Sequence, residues 1–85
     1  MPSRVSEAIV HAVLLRIVEE RKSAGMSQER LAELSGIDLG VISRAEHLLR
    51  IPAMASILDL AQALELDLSQ LLSDAIKDAA KPPGR

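Results

Sequence analysis

The sequence predicts an all-α domain built from five helices. Three observations predict it. The chain is rich in the helix formers Ala, Leu, Glu and Gln. No segment alternates apolar and polar residues as a half-buried strand would. Capping residues stand ahead of apolar sets spaced by three and four. With 85 residues, 48% of them hydrophobic, the chain is long enough for one core and too short for two. Residues 1–80 therefore read as one domain, and Lys81-Pro82-Pro83-Gly84-Arg85 as a disordered tail.

The first helix is expected from about Ser3 to Ala24, with Ser3 as N-cap and Glu7 one position late for a capping box. Its apolar residues (Val5, Ile9, Val13 and Ile17, with Ala8, Val10, Ala12, Leu14, Leu15 and Val18) exceed one stripe, which predicts burial on two sides. Gly25 closes it. Ser27 caps a second helix whose Leu31, Ala32 and Leu34 are expected to face inward, and Gly36 ends it. Asp38 caps a third helix lasting to about His47, with Val41, Ile42 and Ala45 as its apolar face. A loop containing Pro52 leads to a fourth helix at about 53–64, carrying Met54, Ile57, Leu58, Ala61 and Leu64. Asp67 caps a fifth, at about 67–80. On it Leu68, Leu71, Leu72, Ala75, Ile76 and Ala79 follow the i, i+3, i+4, i+7, i+8, i+11 series.

The inventory excludes most chemistry. Without cysteine there is no disulfide, thiolate metal site or cysteine nucleophile. His11 and His47 lie far apart, with no carboxylate cluster spaced for metal ligation. The absence of Phe, Tyr and Trp removes stacking on bases as a binding mode. An enzyme is therefore not expected, and neither is a cofactor or a small-molecule ligand. The most apolar stretch, Ile9 to Val18, is interrupted by His11 and Arg16 and is too short for a membrane span. No secretory signal is apparent, so a cytoplasmic location is expected, nucleoid-associated if the source is bacterial. The net charge of −2 does not favour nucleic acid by itself. Its distribution softens this: residues 21–50 hold five basic and four acidic side chains, whereas the remainder holds five basic and eight acidic.

The second and third helices, joined by Ser35-Gly36-Ile37, have the form of a helix-turn-helix. Gln28-Glu29-Arg30-Leu31-Ala32-Glu33-Leu34-Ser35-Gly36-Ile37, continued by Val41-Ile42-Ser43-Arg44-Ala45-Glu46, resembles the lambda-repressor-like, Cro-type (XRE) family of DNA-binding proteins. The likeness extends without a gap over about residues 13–72, through Arg21, Gly25-Met26-Ser27-Gln28, Arg50, Pro52 and Leu60-Ala61-Gln62-Ala63-Leu64. It implies a helix-turn-helix unit at about 27–47 within a compact five-helix domain. Four features depart from the family pattern. Leu48 stands where glycine is usual, Ile51 where a polar residue is common, and Glu20 where an apolar one is frequent. The third helix opens Asp38-Leu39-Gly40, where relatives carry hydrogen-bonding side chains for the bases.

The resemblance implies base contacts from Leu39, Gly40, Ser43 and Arg44, and phosphate contacts from Ser27, Gln28, His47 and Arg50. It implies a structural ion pair between Arg21 and Glu46. The residues leave plainer roles open: Arg44 and Arg50 as solvated ion-pairing residues, Ser27 as a cap, His47 as a helix-end residue. The fifth-helix stripe, Leu68, Leu71, Leu72, Ala75, Ile76 and Ala79, is read as a dimerisation surface; cover by the first helix of the same chain is the alternative. The expected function is sequence-specific regulation by a homodimer on a palindromic double-stranded DNA operator, the third helix in the major groove. A protein-interaction module or antitoxin-type partner with the same fold is the alternative.

Overall fold

The computed structural model describes residues 4–79, and among these the chain runs through five helices and no strand. They are α1 (Arg4–Ser23), α2 (Gln28–Ser35), α3 (Leu39–Glu46), α4 (Met54–Ala63) and α5 (Leu68–Ala79). The expected boundaries hold to within a residue or two. Ser3 and the 81–85 tail lie outside the described residues.

Local chemistry accounts for the starts. The Ser27 hydroxyl accepts the Arg30 N–H at 3.0 Å, and the Asp38 carboxylate accepts the Gly40 N–H at 2.9 Å. Asp67 accepts both the N–H and the hydroxyl of Ser69, at 3.0 and 2.6 Å. These bonds satisfy amides that have no partner inside the helix. α4 differs: Ala53 precedes it and supplies no side-chain cap.

Three of the ends share one device. After α1, Met26 N–H reaches back to the Arg21 carbonyl (3.1 Å) and Gly25 N–H to that of Lys22 (2.9 Å), a Schellman motif with Gly25 at φ 67°. The same pair of bonds closes α3, from Leu49 to Arg44 and Leu48 to Ala45, and α4, from Leu66 to Ala61 and Glu65 to Gln62. There the left-handed residue is not glycine: Leu48 has φ 56° and Glu65 φ 57°. The glycine usual in the family is replaced at position 48 while the backbone keeps glycine's conformation. α2 ends on Gly36, φ 74°, whose N–H bonds to the Ala32 carbonyl.

The core is wholly aliphatic. Leu31 and Ile42, both fully buried, sit at its centre, surrounded by Val13, Leu14 and Ile17 of α1, Ala45 of α3, Ile57 and Leu60 of α4, and Leu71 and Ala75 of α5. Burying each large side chain stabilises the fold by about 1.5–3 kcal/mol. α1 packs against α5 and α3, and α2 against α3 and α4.

Three inward assignments need correction. α1 buries one stripe rather than two sides, because α3 and α5 pack along Val13, Leu14, Ile17 and Arg21 and leave Val5 and Leu15 in solvent. On α4 the buried residues are Ile57, Leu60 and Ala61; Met54 and Leu58 are exposed. Leu60 shares a face with Ile57 at i+3, whereas the adjacent Leu58 is turned by about 100°. Leu34 is exposed although it lies three residues past the buried Leu31, because it stands in the last turn of a two-turn helix whose only buried residue is Leu31.

Candidate nucleic-acid interface

α3 buries Ile42 and Ala45 and thereby fixes which residues face outward. Leu39, Arg44 and His47 are exposed, and Gly40 and Ser43 are half-buried beside them. This outer surface carries all four residues expected to contact bases.

The helix is anchored at its far end by an ion pair. Arg21 Nε donates to Glu46 Oε2 at 2.6 Å and Nη2 to Oε1 at 2.8 Å, with both side chains about nine-tenths buried. Arg21 Nη1 also donates to the Met26 carbonyl at 2.7 Å. Gln28 Nε2 donates to Glu46 Oε1 at 2.9 Å. Arg21, Gln28 and Glu46 thus join the end of α1, the start of α2 and the end of α3. Burial raises the Glu46 pKa, but the hydrogen bonds from Arg21 and Gln28, with the Arg21 charge, outweigh it and hold the carboxyl below the usual glutamate range. Gln28 is committed to this network by one N–H, which leaves only the second Nε2 N–H to donate to a phosphate.

His47 is likewise engaged. Its Nδ1 lies 2.8 Å from the Ser43 carbonyl, which can only accept, so Nδ1 carries the proton. The neutral ring then turns an acceptor Nε2 outward, and only the protonated ring can donate to a phosphate. The Ser27 hydroxyl oxygen accepts the Arg30 N–H in capping α2, which leaves its O–H to donate.

A shallow cleft of about 290 Å³ opens between α3 and α4, lined by Val41, Arg44, Arg50, Ile51, Pro52, Ala53 and Ser56. Two guanidinium-bearing side chains and the start of α4 meet there. Because Ala53 gives α4 no side-chain cap, amides of its first turn remain available to an outside acceptor. Sequence reasoning picked out Arg44 and Arg50 but not Ala53 or Ser56; the missing cap after Pro52 was the available signal. Among the described residues no group of His, Asp or Glu is arranged to hold a metal ion. No helix among them is long and apolar enough to cross a membrane.

The fifth-helix stripe is divided. Leu71 and Ala75 belong to the core, Leu68 and Leu72 pack against its edge, Ala79 is half-buried, and Ile76 is 52% exposed. Cover by α1 therefore accounts for its inner half.

Comparison with known proteins agrees with this architecture. A family model described as helix-turn-helix matches residues 17–71, from the middle of α1 into α5. Searches of curated proteins and of solved structures found no significant match. With five helices, an outward-facing α3 and a family match over well over half its length, the chain belongs to the DNA-binding helix-turn-helix family of Cro and lambda-repressor type.

Proposed function

We propose that this protein is a sequence-specific transcriptional regulator that binds a palindromic operator as a homodimer. The observation that carries the reading is the joint presentation of α3's outer face and the Arg44–Arg50 cleft. With α3 in a major groove, Leu39, Gly40, Ser43 and Arg44 lie toward base edges. Arg44 suits the O6 and N7 acceptors of guanine, and Leu39 a thymine methyl group. Arg50, the free amides at the start of α4, Gln28, Ser27 and protonated His47 serve phosphates on either side. A homodimer formed through the exposed edge of α5, at Ile76, would have to hold the two α3 helices about one DNA turn (about 34 Å) apart. No cofactor enters this scheme.

One observation favours a second reading, docking of a protein partner. Leu49 (76% exposed), Ile51 and Met54 form an apolar series flanking Arg50. Anisotropy titration of labelled duplexes between 50 and 300 mM salt separates the two. Affinity that falls steeply with salt supports DNA binding through phosphates, about one unit of log–log slope per contact. Salt-independent or undetectable duplex binding favours the protein partner.

A further inference from the structure

The opening of α3, Asp38-Leu39-Gly40, lacks the amide and hydroxyl side chains that would read bases from the first turn of a recognition helix. The structure shows what occupies that place. A Cβ added at Gly40 would lie 3.0 Å from Asp38 Oδ2, 3.2 Å from Arg44 Nη1 and 3.5 Å from Arg44 Nη2. A side chain at position 40 would therefore press on a carboxylate and a guanidinium, which would each have to give by a few tenths of an ångström. Arg44, four residues on, lies back along the helix over Gly40, in the direction helical side chains lean. It is the sixth of eight helical residues. The bare backbone at position 40 lets its charge arrive at the first turn, the part of a recognition helix that meets base edges.

Asp38 supplies the complementary half. Its Oδ2 accepts the Gly40 N–H at 2.9 Å, and Oδ1 has no hydrogen bond among the described residues. A carboxylate only accepts, so in a major groove it matches the amino groups of cytosine N4 and adenine N6 and is repelled by guanine O6, thymine O4 and phosphates. A guanidinium only donates and matches the two acceptors of guanine. Side by side, they require a guanine next to an amino-bearing base.

We propose that Asp38, Gly40 and Arg44 form one reading unit. Arg44 takes a guanine, Asp38 requires cytosine or adenine in the adjoining pair, and glycine at position 40 is the specificity-determining choice that permits both. The inference rests on the DNA reading given above and deepens it. The repulsive carboxylate adds discrimination by penalising duplexes that offer acceptors in its place.

Selection of binding sites from random duplexes, run in parallel on the wild type and on Gly40→Ala, Asp38→Asn and Arg44→Ala, tests it. Thermal melts followed by circular dichroism establish that each variant is folded; alanine is a better helix former than glycine, so Gly40→Ala is not expected to unfold. The wild type should return a fixed guanine beside cytosine or adenine. Arg44→Ala should flatten the guanine, and Asp38→Asn should admit guanine and thymine at the neighbour while tightening binding to unrelated duplexes. Gly40→Ala should displace the Arg44 guanidinium and lower preference for the guanine, by less than the roughly tenfold that losing a whole bidentate contact would cost. If folded Gly40→Ala and Asp38→Asn select the wild-type sites unchanged, the reading unit is overturned although DNA binding stands. If the wild type binds no duplex at any salt concentration, the DNA reading itself fails and the unit falls with it.

Discussion

Leu48 holds at the end of α3 the backbone conformation that Gly25 holds at the end of α1, with φ 56° against 67°. The hydrogen bonds that close the two helices are also the same. For an L-residue this left-handed conformation costs about 1–2 kcal/mol. Leu48 offsets some of that cost, because its side chain packs against the core. Glu65, in the same conformation after α4, is exposed and has no such compensation.

Glu65→Gly should therefore stabilise the protein by roughly 0.5–1 kcal/mol, the relief of strain less glycine's larger chain entropy. Leu48→Ala should destabilise it most at its site, keeping the strain and losing the packing, with Leu48→Gly between Ala and wild type. Urea unfolding midpoints at constant m give the order. A Glu65→Gly midpoint below wild type would contradict the strain argument.

Removing one partner of the Arg21–Glu46 pair should be far more costly. Arg21→Ala strands a carboxylate whose side chain is about nine-tenths buried, a loss of about 3–5 kcal/mol. That approaches the whole stability of many small domains, about 5–15 kcal/mol. Arg21→Met combined with Glu46→Leu leaves no charge unpaired and should unfold at a higher temperature than either single variant.

Acid should act through the same carboxylate. Glu46 is held below its ordinary range in the folded state, so its contribution is present above the unfolded value, about 4.3, and is lost as pH falls through the lower folded value. Asp67 is shifted the same way by its bonds to Ser69 and Gln70. Stability should thus be level from neutrality to about pH 5 and fall below about pH 4.3. In the Glu46→Gln variant, less stable near neutrality, this acid limb should be shallower and approach that of the wild type at low pH. Melting temperatures across pH 2.5–7 would show it.

On DNA, Arg50→Ala should weaken all duplexes alike and lower the salt slope by about 1, as for a residue that meets a phosphate. Arg44→Ala should instead lose about 1–3 kcal/mol of discrimination at one base pair. Equal losses on cognate and unrelated duplexes in both variants would move Arg44 from base reading to backbone contact.

Self-association is best probed at Ile76, because Leu71 and Ala75 belong to the core of a single chain. Ile76→Asp should give a folded monomer with much reduced operator affinity, whereas Leu71→Asp should unfold the chain. Sedimentation of wild type and Ile76→Asp at tens of micromolar distinguishes them. A wild-type monomer there would remove α5 from the dimer scheme.

Much of this fold is legible in the residues because its punctuation is chemical. Ser27, Gly36, Asp38 and Asp67 each bond to the backbone at a helix boundary, and each boundary lies where they place it. Facing is harder to read where apolar residues crowd a short helix. In α4 the pair Ile57-Leu58 is equally greasy, and only contact with the rest of the core selects Leu60 and leaves Leu58 in solvent. The same limit applies to α5, whose stripe length does not reveal how much α1 covers. At the interface the outward face of α3 follows from the buried Ile42 and Ala45. The engagement of Gln28 with Glu46, the Nδ1 bond of His47 and the bend of Arg44 over Gly40 are three-dimensional facts that spacing does not encode.

The knot of Arg21, Gln28 and Glu46 also has a mechanical meaning. It ties the base of α3 to two other helices, so tilting α3 against the rest of the domain would break buried charged hydrogen bonds. If α3 reads DNA as proposed, tilting it to suit an imperfect groove carries that cost. On the operator proposed above, the compliance has to come from the duplex, whose TA and CA steps deform most readily while A-tracts resist. Base pairs between the half-sites, touched by neither protomer, would then tune affinity through their stiffness. Replacing a central TA step with an A-tract should weaken binding without altering a single contact.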